Sequence, residues 1–121
     1  MAAPAQHHTI NYLELSAPDI AKAKEFYSTV FGWKFQDWGP EYIAFDKAGA
    51  GIDGGFRLRD AAEPSTAAGP LIVLYSSNLA ATEATIQTAG GSIVVPTFEF
   101  PGGRRFHFAD PAGNVLAVWS E

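Results

Sequence analysis

Cysteine is absent from the 121 residues. Disulfides, thiolate metal sites and cysteine nucleophiles are thereby excluded. Basic residues are scarce as well: 8 Lys and Arg stand against 13 Asp and Glu, a formal charge of −5. Such a balance disfavours nucleic acid and anionic membrane surfaces as partners. No apolar run approaches the roughly 18–20 residues that a membrane span needs. Residues 1–6 lack both a basic and an apolar stretch, so no secretory signal is read there and a cytoplasmic protein is expected.

What is present is an ordinary globular balance. Apolar residues make up 47% and charged residues 17%, and the length suits a single domain with a real core (residues 1–121). Residues 9–15 alternate as a strand does. Pro18 and Asp19 then suit a helix start, and Ile20, Ala23, Tyr27 and Val30 recur at helical spacing up to Gly32. Strand-like segments follow at 33–36, 42–46 and 51–58. A linker rich in Ala, Pro, Ser and Asp covers 59–69.

The same order then repeats. Residues 71–75 form an apolar strand, and Asn78 can cap a helix carrying Leu79, Thr82, Ile86 and Ala89, with Gly90-Gly91 at its end. Strands are expected at 92–95, about 104–109 and 115–119. A shift of 59 positions brings Ile20 onto Leu79, Tyr27 onto Ile86 and Gly32 onto Gly91, the mark of a duplicated unit. Between the last two strands, Asp110-Pro111-Ala112-Gly113-Asn114 reads as a tight turn, since Pro111 presets φ and Gly113 and Asn114 tolerate positive φ.

Phe26-Tyr27 after Asp19 and Ala23, then Val30-Phe31-Gly32-Trp33, and finally Phe108 through the Asp-Pro-x-Gly-Asn turn, are similar in order and separation to the vicinal oxygen chelate superfamily of glyoxalase I, bleomycin- and fosfomycin-resistance proteins and extradiol dioxygenases. The resemblance covers nearly the whole chain, from about Ile10 to Trp119. It implies an α+β fold of two βαβββ units (9–58 and 70–120) whose curled mixed sheet encloses a central cup. It also implies a small-molecule ligand in that cup, often a divalent metal, and commonly a homodimer, sometimes with units exchanged.

The resemblance places the family's metal ligands at positions that this chain fills otherwise. Seven residues before Asp19 stands Tyr12; the equivalent in the second unit is Leu71; three after Asn114 is Ala117. None is an ordinary ligand of Zn²⁺, Ni²⁺, Mn²⁺ or Fe²⁺. Residues 51–58, which would supply the remaining ligand, offer Asp53. No metal or other cofactor is therefore expected at those positions, and the expectation is a binder of a small organic molecule; the alternative is a lyase, isomerase or dioxygenase of the same superfamily that uses acid–base residues or a divalent metal held elsewhere.

Strand parity then lists what lines the cup. With Leu13 and Leu15 under the helices, Ile10, Tyr12 and Glu14 face the cup, as do Leu71, Val73 and Tyr75, and Val115, Ala117 and Trp119. Such a lining is mostly apolar and aromatic, as ligand pockets are. Glu14 among these neighbours is expected to be partly desolvated and is a candidate acid–base group; otherwise it anchors structure through Tyr75 or an arginine. His107 is the second catalytic candidate, provided that Phe106 and Phe108 pack under a helix and turn it into the cup. Residues 99–105 read as a loop able to close over the cup, with Arg104 and Arg105 gripping an anionic substrate. Tyr12, Tyr75 and Trp119 complete the expected ligand contacts. His7 and His8, neighbours on a supposed strand, would point apart and share no metal.

Overall fold

The computed structural model describes residues 7–8, 10–62 and 69–121. The segment 1–6, Thr9 and the middle of the expected linker, 63–68, lie outside the described residues. The elements run β1 (Leu13–Ala17), α1 (Ile20–Phe31), β2 (Phe35–Asp37), β3 (Tyr42–Phe45), α2 (Lys47–Ala50) and β4 (Gly54–Leu58), then β5 (Ile72–Tyr75), α3 (Leu79–Thr88), β6 (Ser92–Phe100), β7 (Gly103–Ala109) and β8 (Val115–Ser120). They form two four-stranded sheets of the same plan, β1-β4-β3-β2 and β5-β8-β7-β6. In each sheet the first strand pairs in parallel with the last and the other pairs are antiparallel. This is the α+β, twice-repeated βαβββ fold that the sequence implies.

Local chemistry sets the helix ends. Asp19 caps α1 by accepting from Lys22 N at 3.1 Å, and Asn78 caps α3 by accepting from Ala81 N at 3.1 Å. Gly32 closes α1 at φ 73°, a left-handed conformation costly for any residue with a Cβ. β1 begins at Leu13 rather than at residue 9, because its partner β4 begins at Gly54. The one-turn helix α2, absent from the sequence reading, is capped by Asp46, which accepts from Gly49 N at 3.2 Å.

Helices α1 and α3 lie over one core. Ala23, Phe26 and Tyr27 of α1 and Leu79 and Ile86 of α3 pack on Leu15, Ile43, Phe45 and Phe56 of the first sheet and on Phe106, Phe108, Leu116 and Val118 of the second. Phe26 bridges the units, with its ring 6.1 Å from that of Phe108. The turn of the second unit is locked onto the first. Tyr27 Oη donates to Asp110 at 2.9 Å, Asn114 Nδ2 donates to the Ser16 carbonyl at 2.9 Å, and Arg59 donates to the Ala112 carbonyl at 2.7 Å. The buried Asp110 and Asn114 side chains are thereby paired at the junction, as burial demands.

Candidate functional site

Because Leu15, Phe56, Phe106, Phe108, Leu116 and Val118 point into the core, residues of the other parity form an open face on each sheet. Two of the open-face expectations are thus settled by packing. Phe106 and Phe108 are fully buried, so His107 lies on the open face of β7. Val73 and Tyr75 stand 44% and 53% exposed on β5, unlike their partly buried neighbours Ile72 and Leu74.

Across the second sheet the open face is built in rows. Val73, Ala117 and His107 are register partners, and so are Tyr75, Trp119, Arg105 and Phe98. Tyr75 meets Trp119 edge-on at 5.1 Å, and Phe100 reaches Trp119 at 6.4 Å. The Arg105 guanidinium rests on Phe98 and Phe100, 5.2 and 5.5 Å from their ring centres. Val73, Phe100, Gly102, Arg105 and Trp119 surround a cavity of ≈ 320 Å³. Ala117 is fully buried at the base of this face.

Electrostatics mark two atoms there. Arg105 Nε and His107 Nε2 are both buried with no hydrogen-bond partner. Burial, with the Arg105 charge as a second cause, pushes the His107 imidazole below its ordinary value of 6.5, which favours the neutral ring. The Tyr75 hydroxyl donates to the Glu121 carboxylate.

On the first sheet the open face carries a hydroxyl–carboxylate chain. Tyr12 Oη and Tyr42 Oη share a hydrogen bond of 2.6 Å, and Tyr42 Oη donates to Glu14 Oε1 at 3.1 Å. Partial burial, then the hydrogen bonds to Tyr12 and Glu14, drive the Tyr42 phenol well above its ordinary value. Gly55 makes room for this group, because a Cβ there would lie 2.4 Å from Tyr42 Oη. A second cavity of ≈ 320 Å³ lies beside β1 and β5, lined by residues that include Glu14, Pro70, Ile72 and Val115.

Several expectations need correction. Glu14 is exposed, so the desolvation expected of it does not occur, and its partner is Tyr42, not Tyr75. Residues 99–105 are not a loop. β6 runs on to Phe100, β7 starts at Gly103, and the turn between them is short. Arg104 and Arg105 consequently point to opposite sides, with Arg105 on the open face and Arg104 exposed on the other. His7 and His8 lie in a turn with their rings stacked at 3.7 Å, so the alternation of a strand does not separate them.

Sequence reasoning missed Tyr42, Phe98 and Phe100. Tyr42 was accessible through parity with the buried Ile43 and Phe45. Phe98 and Phe100 were hidden because Pro96 and Pro101 read as breakers, whereas Pro96 sits in the irregular stretch between Val95 and Phe98 where the β6–β7 register shifts.

The donor set does not fit the metal site that the resemblance implies. Leu71 and Ala117 have no donor atom, and the Tyr12 hydroxyl is engaged with Tyr42. Asp53 accepts from Lys47 N at 2.8 Å, holding the start of α2. Among the described residues no group of three His, Asp or Glu is placed to hold an ion.

Two βαβββ units on a common core, each with an open and partly aromatic sheet face, define the paired-βαβββ class of proteins. Residues 9–118 match the Glyoxalase/Bleomycin resistance protein/Dioxygenase superfamily, and the chain belongs to it. The chain is 27% identical over 124 residues to the anthracycline biosynthesis protein DnrV of Streptomyces peucetius, which takes in 89% of this chain and 45% of that protein. It therefore spans less than half the length of this curated relative. In structure it is similar to a glyoxalase-related enzyme from Fulvimarina pelagi, with a TM-score of 0.77, 19% identity, and 95% and 89% of the two chains covered. It is also similar to TnmS3, an antibiotic binding protein from Streptomyces sp. CB03234, with a TM-score of 0.70, 22% identity, and 97% and 98% covered. No helix among the described residues is long and apolar enough to cross a membrane.

Proposed function

We propose that the chain binds a small aromatic organic molecule on its open face, without a metal, as a cytoplasmic homodimer. The observation that carries this reading is the Tyr75–Trp119–Phe100–Arg105 group around its ≈ 320 Å³ cavity. Flat rings and an aromatic-backed guanidinium suit a planar ligand, and the apolar surroundings supply the desolvation that makes stacking worthwhile. Tyr12 and Glu14, joined through Tyr42, form a polar margin that accepts or donates hydrogen bonds to ligand oxygens. Arg104 faces away and is left out of the contact set. The names of the relatives agree with this: one is an anthracycline biosynthesis protein and another an antibiotic binding protein. The exposed apolar side chains of Leu71, Val73 and Tyr75 support a second copy as cover.

The test is a tryptophan-fluorescence titration with 1,8-dihydroxyanthraquinone. Binding is expected, and Trp119→Ala should weaken it by about tenfold or more, the usual effect of removing an aromatic anchor. Failure to bind this and similar fused-ring probes would sink the reading. Incubation with Zn²⁺, Ni²⁺, Mn²⁺ or Fe²⁺ and desalting is expected to leave no stoichiometric metal; one ion per chain would count against it.

One observation favours an enzyme of the same superfamily instead. His107 offers a neutral, unpartnered imidazole nitrogen on the open face, which suits an acid–base group, with Glu14 as the second candidate. Turnover of a ketoaldehyde–thiol adduct that disappears in His107→Phe would establish that reading.

A further inference from the structure

An unpaired, buried guanidinium N–H is costly to maintain, so its place in the fold points to what it meets in use. Arg105 Nε is such a group, and the only other buried polar atom without a partner on that strand is His107 Nε2. The two side chains are on the same face of β7, two residues apart, about 6.6 Å along a strand. No ion pair engages Arg105 among the described residues, and the Glu121 carboxylate is taken up by the Tyr75 hydroxyl. The guanidinium is backed by the rings of Phe98 and Phe100. In front of it lies the cavity shared with Val73 and Trp119.

We infer that Arg105 and His107 form an anion subsite at one end of the aromatic cavity, so that the ligand is a ring compound carrying a carboxylate or an ionised phenol. Resting on the proposed binding function, this assigns the ligand's chemical class. The ring packs against Trp119 and Phe100 while its negative oxygen accepts from the Arg105 guanidinium. A guanidinium backed by aromatic rings and shielded from water binds a carboxylate oxygen far better than one in bulk solvent. The imidazole stands beside it on the same face of β7, and burial disfavours its charged form. A ligand with adjacent hydroxyl and carboxylate groups would engage both residues.

Calorimetric titration of the whole chain with 2-naphthoate and with its neutral isostere 2-naphthamide separates the subsite from the cavity. The wild type is expected to prefer the carboxylate by about tenfold or more, as charge-assisted pairs in shielded sites do. Arg105→Met keeps the stem on Phe98 and Phe100 but removes the charge. It should erase the preference, so that naphthoate binds no better than naphthamide, and an unchanged melt by circular dichroism shows that the variant is folded. Arg104→Met, on the opposite face, removes the same net charge and should leave the preference intact. Equal affinities in the wild type, or a preference that survives Arg105→Met, would overturn the subsite while leaving the aromatic cavity standing. A preference lost equally in Arg104→Met would overturn it too, since long-range charge would then explain it. Binding of neither probe would remove both the subsite and the reading on which it rests.

Discussion

Asp110 shows how one side chain ties the two units together. Its carboxylate accepts from Ala112 N and Asn114 N at 2.9 Å each, from Tyr27 Oη at 2.9 Å and from Asn114 Nδ2 at 3.1 Å. Asp110→Asn replaces an acceptor with a donor that faces two donors, and we expect a loss of about 1–3 kcal/mol. Burial is the largest influence on this carboxyl and raises its pKa above 3.8, against the hydrogen bonds that lower it. A carboxyl with a higher pKa in the fold than in the unfolded chain holds its proton more tightly when folded. Its contribution is therefore fullest below 3.8 and fades as pH rises through the folded value. The penalty of Asp110→Asn, read from urea melts, should be largest in acid and shrink towards neutral pH. His107 runs the other way. Its imidazole is depressed below 6.5, so the stability it contributes is complete above that value and is lost as pH falls through 6.5 towards the folded pKa. His107→Phe should flatten that acid-side slope, and an unchanged slope would show that another group causes it.

At the scale of elements, pairing decides which side chains serve the open face. Gly55 of β4 lies opposite Glu14 of β1 and Ala44 of β3, beneath the Tyr42 ring. Gly55→Ala is expected to displace that ring and break the Tyr12–Tyr42–Glu14 chain. The cost in stability should be about 1–3 kcal/mol, the range for overpacking. The Tyr42 phenol should also return towards its ordinary value of 10.0, followed by near-UV absorbance against pH. An unmoved phenol would mean that the ring has other room. Strand parity made Tyr12, Glu14, Tyr75 and Trp119 legible in the sequence, because alternation with buried leucine and valine is a local property. The β6–β7 hairpin was not legible. Its strands continue past prolines and glycines that ordinarily end them, held by pairs such as Phe98 with Arg105 and Phe100 with Gly103.

For the whole molecule, the shared core makes each half dependent on the other. Phe26 of α1 packs on Phe108 of β7, and Asn114 is tethered to β1 through the Ser16 carbonyl. A polypeptide of about 60 residues buries too little surface to be robust alone. Residues 1–62 and 69–121 produced separately should each lack a cooperative melt by circular dichroism, and a mixture should recover it only by association. A cooperative transition in either half alone would show that the units are independent.

The duplicated order of strands and helices, the caps Asp19 and Asn78 and the tight turn at Asp110–Asn114 were all readable from residue types and spacings. These features rest on interactions within a few residues. The tertiary structure alone decided that Glu14 meets Tyr42, that Arg105 and Arg104 part to opposite faces, and that His107 joins Arg105 beside Phe98 and Trp119. Each of those outcomes depends on strand register and on which ring claims the core, and both are set by packing between segments far apart in the chain.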